Sequence, residues 1–145
     1  MEIHNTSELK NALMSRIPTA VHLMRDMVYE IIDECLVKFY LEYTPNMYIR
    51  TQQLLYSLVK TGVQKVEDGY EAYVYFDYNS LNYRTGANPS GYQVMVAAAD
   101  GKHGADGVRT VDGDTSVWTQ PVMQIRQDLR DMLQQALIRA GIPIK

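Results

Sequence analysis

VHLMRDMVYEIIDECLVKF, Val21 to Phe39, decides how the rest of the chain is read. Met24, Met27, Val28, Ile31, Ile32, Cys35, Leu36 and Phe39 recur at spacings of three and four, the period that gathers side chains on one face of an α-helix. Arg25, Asp26, Glu30, Asp33, Glu34 and Lys38 fall on the other faces. Pro18 has no amide hydrogen, so it belongs in the first turn of this helix or at a kink leading into it. The predicted helix covers residues 18–42 and is about 35 Å long, enough to cross a domain.

Upstream, Asn5 is a cap with Glu8 placed for a reciprocal contact, which predicts a short first helix over 6–17. Downstream, Pro45 stops the long helix. Thr51 caps a shorter one over 51–60, with Leu54, Leu55 and Leu58 on one side and Gly62 as its stop. The period then changes from near four to two. Ala72, Val74 and Phe76 alternate with Tyr73 and Tyr75, and Glu67-Asp68-Gly69 is a turn signal, so residues 61–78 are predicted to form a hairpin.

Residues 79–118 are turn-rich, and six of the nine glycines lie between Gly86 and Gly113. Within this excursion the valines of Gln93 to Ala99 suggest a further strand. A closing helix over 119–140 has Pro121 in its first turn. Val122, Ile125, Leu129, Leu133, Ala136, Leu137 and Ala140 share one face, and Gly141 and Pro143 end it. The expected fold is α+β: a long N-terminal helix and a C-terminal helix packed on a small, mainly antiparallel sheet with a long loop excursion.

At 145 residues one domain is expected, and 46% hydrophobic against 21% charged residues is the balance of a chain that buries a core. Fourteen basic residues against 17 acidic ones give a net charge of -3, too little positive charge for sequence-independent DNA binding. A single cysteine, no apolar signal core at the amino terminus and no run of about 18 apolar residues lead us to expect synthesis in a reducing cytosol and no membrane-spanning helix. Eleven tyrosines against two phenylalanines suit half-exposed faces that meet partners.

Residue types that carry chemistry are present but not in chemical patterns. His4, His22 and His103 stand at no metal-ligand or nucleophile spacing, and His22 reads as a partly buried structural residue of the long helix. Cys35 lies on the apolar stripe, where burial keeps a thiol inert. Asp106, Asp112 and Asp114 fail the EF-hand spacing, because the position needing a glutamate is Met123. GKHGADG, residues 101–107, is neither a dinucleotide fingerprint nor a phosphate loop. Arg126, Arg130 and Arg139 are interleaved with Asp128 and Asp131, a solvated mixed face. No catalytic, metal or cofactor site is expected.

Between the long helix and the hairpin, Tyr43-x-Pro45-x-x-Tyr48-x-Arg50-Thr51-x-x-Leu54-Leu55-x-Ser57 resembles a signature of small tailed-phage proteins of the head-to-tail joining, or tail-completion, family. The order of parts is similar too: long helix, Tyr/Arg-Thr/Leu segment, hairpin, variable loop, closing helix. Members often carry glycine after the Arg-Thr pair, where this chain has Gln52. The resemblance implies a non-enzymatic, ring-forming part of the virion neck, or its tail terminator, made in the host cytoplasm. Its implied partners are further copies of itself and neighbouring connector and tail proteins, with DNA passing nearby in a channel.

Physically, Tyr43, Pro45, Tyr48, Arg50, Thr51, Leu54 and Ser57 read as a corner that ends one helix and restarts another. Contacts with partners are then expected on the outer face of the hairpin and on the loop: Tyr73, Tyr75, Tyr83, Arg84, Tyr92, His103, Arg109 and Trp118. For Trp118, packing in the core, where it anchors the loop to the last helix, is expected ahead of a partner contact. Two other readings compete, a nucleic-acid-binding regulator from a mobile element and a small hydrolase using His103 with a nearby aspartate.

Overall fold

Asn5 begins the first helix as its residue type requires. Its Oδ1 accepts from the amide of Glu8 at 2.9 Å, and the Glu8 carboxylate reaches back to the amide of His4 at 2.8 Å, so exposed helix-start donors are satisfied from both sides. The structure, a computed structural model, describes residues 4–41, 53–82, 90–99, 102–103, 108–109 and 117–144. The first helix, α1, is Thr6–Met14. The long helix, α2, is Ile17–Leu41, with Pro18 in its first turn.

A single turn of helix follows, α3 at Gln53–Tyr56. The expected continuation to residue 60 is strand instead: β1 is Leu58–Lys60. The hydroxyl of Ser57 closes the turn onto the carbonyl of Leu54 at 2.7 Å, and the next residues pair with a distant strand. Leu54 and Leu58 are buried in either conformation, so their spacing alone did not separate the two.

The hairpin consists of β1, β2 (Gln64–Val66), β3 (Gly69–Glu71) and β4 (Val74–Phe76). All pairing is antiparallel, with Leu58 opposite Phe76 and Lys60 opposite Val74 in the inner part, and Gln64 opposite Glu71 and Val66 opposite Gly69 in the outer part. The register shifts by one residue between the two parts, because Gly62 and Val63 together face Ala72 alone. This is a β-bulge. Thr61 marks it: its amide donates to the carbonyl of Tyr73 at 2.9 Å, while the amide of Tyr73 turns to the Thr61 hydroxyl at 2.9 Å.

A 3₁₀ turn, Tyr78–Ser80, leads on to α4, Gly91–Ala99. The strand expected at Gln93–Ala99 is therefore a helix. Its alanines, glutamine and methionine are good helix formers, and Val94, Met95 and Ala98 share the side that packs on the core, which outweighs two valines. Two short strands, β5 (Lys102–His103) and β6 (Val108–Arg109), pair antiparallel. The last helix, α5, is Thr119–Arg139. It ends as its sequence requires: Gly141 takes φ of 80°, its amide bonds Ile138 and that of Ile142 bonds Leu137, a Schellman closure.

α5 packs along α2, and α2 also packs on β1, β3 and β4. The chain is thus α+β, with α2 as the shared element. The main core gathers at the carboxyl half of α2, where Ile32, Leu36 and Phe39 meet Leu54, Leu58, Phe76, Leu81, Ala98 and Val117. The amino half of α2 is thinly covered, Ala20 being its one buried residue.

Candidate functional site

β4 sorts its side chains by the two-residue period. Phe76 and Val74 point to α2, leaving Tyr75, opposite Val59, and Tyr73 on the outer face, 49% and 54% exposed. Tyr73 holds its proton more tightly than a free phenol because its hydroxyl is hydrogen-bonded to the Glu71 carboxylate. Beyond the strand, Tyr78 meets Tyr92 edge to face at 6.1 Å, and Tyr92 is 63% exposed. This aromatic pair is positioned by backbone contact: a Cβ at Gly91 would lie 1.9 Å from the carbonyl oxygen of Tyr78, so α4 starts where only glycine fits.

A charged cluster locks the bulge to α2. With the Tyr73 amide diverted to a hydroxyl, the carbonyl of Thr61 is open, and Arg25 Nη1 donates to it at 2.7 Å. The same guanidinium donates through Nε and Nη2 to Oδ1 of Asp26, at 3.0 and 2.7 Å, while Lys60 Nζ reaches that oxygen at 2.8 Å and lies 4.8 Å from the Tyr29 ring centre. His22 Nε2 stands 3.2 Å from Oδ2 of Asp26. Asp26 is accordingly held below the usual carboxylate range, the Lys60 hydrogen bond contributing most and outweighing the opposing effect of burial. Arg25 is 9% exposed, so the cluster satisfies a nearly buried cation.

Beside the cluster lies an apolar groove of about 320 Å³, walled by Val21, Met24 and Val28 of α2, Ala72 and Val74 of the hairpin, and Leu133 and Leu137 of α5. Its floor is the thinly covered half of α2. The main polar group on its wall, Arg25, is already committed to Asp26 and Thr61.

The sequence-predicted residues divide cleanly. Tyr73, Tyr75, Tyr92 and Trp118 are exposed. Trp118, 48% exposed at the residue before α5, does not pack in the core, a place taken by the fully buried Val117. His103 and Arg109 fall in the β5–β6 pair, opposite Val108 and Lys102. Tyr83 and Arg84 lie outside the described residues, as do Tyr43, Pro45, Tyr48, Arg50 and Thr51 of the corner. Leu54 and Ser57 of the corner are buried, and the Ser57 carbonyl accepts from the amide of Asp77 at 2.8 Å.

His22 is half exposed at its side chain and paired with Asp26. Of the face expected to be buried on α5, Ala136 is buried, but Leu129 and Leu133 are each 48% exposed, and the other buried residues are Pro121 and Met132. Cys35 is half-buried on the apolar stripe, and burial raises its thiol pKa, the direction its sequence position implied. The groove and the charged cluster were missed. The i,i+4 pair His22/Asp26 was the available signal for the cluster, whereas the groove depends on three elements whose relative placement no local pattern encodes.

A family model, YomN, matches residues 5–140, nearly the whole chain. Neither the curated proteins nor the solved structures contain a match.

Proposed function

The chain belongs to the YomN family, which is phage-associated, and on that premise we propose that it is a non-enzymatic structural protein of a tailed-phage particle. In this reading it forms a ring at the neck, as a head-to-tail joining, tail-completion or tail-terminator component, and meets connector and tail proteins above and below. The observation that carries the reading is the balance of apolar surface. Among the described residues, sixteen large hydrophobic side chains stay exposed, against thirteen buried hydrophobic ones. Single exposed leucines are ordinary, but exposed residues on the hairpin, α4 and α5 together favour a subunit whose surfaces are covered by neighbours.

Tyrosine is suited to that duty, since it presents a broad apolar face and keeps a polar tip for the unassembled state. Ring closure needs two different patches per subunit, and the outer hairpin face with Tyr73 and Tyr75 is a separate surface from the groove beside α5. No helix among the described residues is long and apolar enough to cross a membrane.

The test is mass and location. Light scattering and negative-stain microscopy of the purified chain are expected to show a closed oligomer, and mass spectrometry with immunogold labelling of purified particles is expected to find it at the neck. A strict monomer at high concentration, absent from purified particles, would sink the reading.

A further inference from the structure

The outer face of the hairpin is both aromatic and acidic. The two-residue period puts Glu71, Tyr73 and Tyr75 on one side of the chain. The hydrogen bond between the Tyr73 hydroxyl and the Glu71 carboxylate shows that this row runs unbroken past the bulge. Beyond it the turn adds Glu67 and Asp68, both exposed. The two lysines of the hairpin face the other way. Lys60 reaches Asp26 on α2, and Lys65, opposite Tyr70, alternates with Gln64, opposite Glu71. Among the described residues, the outer face therefore has half-exposed rings and carboxylates but no cation.

α5 exposes the opposite chemistry. Arg126 and Arg130 are interleaved with Asp128 and Asp131 along the sequence, but not around the helix. At about 3.6 residues per turn, Asp128 is turned from Arg130 by about 160° and Asp131 by about 100°. Met123, Arg126, Gln127, Arg130 and Gln134 make a stripe of their own, exposed along its length and without an acidic group. It points away from Met132 and Ala136, the buried side of the helix. None of the ion pairs among the described residues involves either arginine.

We propose that the Arg126/Arg130 stripe of α5 in one subunit docks on the Tyr73/Tyr75 face of the hairpin in the next copy of this chain. The proposal rests on the ring-forming reading above and assigns its contact. Charge complementarity selects the occupant, because the face without cations matches the stripe without carboxylates. Spacing agrees with charge. Two arginines four apart on a helix are separated by a rise of about 6 Å, and two tyrosines two apart on a strand by about 7 Å, which seats one guanidinium on each ring. A planar guanidinium stacks on an aromatic face and still donates to a carboxylate such as Glu71.

The contact cannot form within one subunit. Val74 and Phe76 turn from the hairpin into the core at α2, and α5 packs along α2 with its buried side, so both docking faces point away from the shared helix. Face and stripe are different patches, the contact is heterologous, and repeating it builds a ring. Burial of the rings, the arginine stems and Met123 holds the subunits together, while the charges decide which face meets which.

The experiment uses surface variants of the full chain. Arg126→Glu/Arg130→Glu spoils the stripe and keeps the hairpin face, while Tyr73→Ser/Tyr75→Ser removes the rings and keeps the stripe. Glu71→Lys is a second hairpin variant, and circular dichroism confirms folding of each. In light scattering, the wild type is expected to be a multimer and each variant alone a monomer of 16.6 kDa. Mixed in equal amounts, the arginine and tyrosine variants are expected to form a one-to-one dimer, because one intact stripe then meets one intact face. A mixture that stays monomeric, or variants that keep the wild-type mass, would overturn the docking while leaving the ring reading in place. A wild type that is itself monomeric would overturn both.

Discussion

Asp26 shows how one carboxylate can hold two elements together. It accepts from Lys60 on β1 and from Arg25, which in turn caps the carbonyl freed at the bulge. Its pKa is lowered in the folded chain, so the folded state favours the ionised form. The cluster therefore stabilises fully above the ordinary carboxylate range, and that contribution is lost as pH falls through it. Asp26→Asn is expected to lower stability at pH 7 by about 1–3 kcal/mol, the scale of a hydrogen-bonded charged pair. It should also flatten the loss of stability on acidification below about pH 5. Urea titrations of both chains across pH read the two effects, and an unchanged midpoint at pH 7 would remove the staple. Gly91 offers a second check. With a Cβ meeting the Tyr78 carbonyl at 1.9 Å, Gly91→Ala should cost about 1–3 kcal/mol through overpacking and separate the Tyr78 and Tyr92 rings, visible in near-ultraviolet circular dichroism.

Among the elements, α2 and α5 share the packing unequally along their lengths. Leu36 has no exposed surface and sits in the main core, so Leu36→Ala should cost about 2–5 kcal/mol. Leu133, on the groove, is half exposed, and Leu133→Ala should stay within about 0.5 kcal/mol in the isolated subunit. Thermal unfolding of the two variants at concentrations where both are monomeric makes the comparison. Equal costs would mean that α5 is buried as its periodicity implied. The helices themselves were legible: Asn5, Pro18, Pro121 and Gly141 bound α1, α2 and α5 through groups that act within one turn. α3 and α4 were not. In α3 the pairing of β1 with β4 ends a helix that its leucines would extend, and in α4 packing on the core and on the 3₁₀ turn selects helix over strand.

For the molecule as a whole, the decisive property is apolar surface without cover. An assembly held by the exposed apolar faces depends on burial of apolar area, which salt does not screen. The multimer is therefore expected to persist at 1 M sodium chloride and to fall apart in moderate urea, as light scattering would show. Dissociation by salt alone would point to a charge-based contact, for which a chain of net charge -3 offers little support.

The sequence by itself determined the α+β class, the identity of α2 and α5, the hairpin and the outward tyrosines Tyr73 and Tyr75. Each of these follows from periodicity and from caps, which act between residues close along the chain. Only the tertiary structure decided which face of α5 is buried, where the strands begin, how Arg25 answers the bulge at Thr61, and that a groove stays open between α2, the hairpin and α5. Those features depend on the distances between elements far apart in sequence, and a helical period records that a face is apolar without recording what, if anything, covers it.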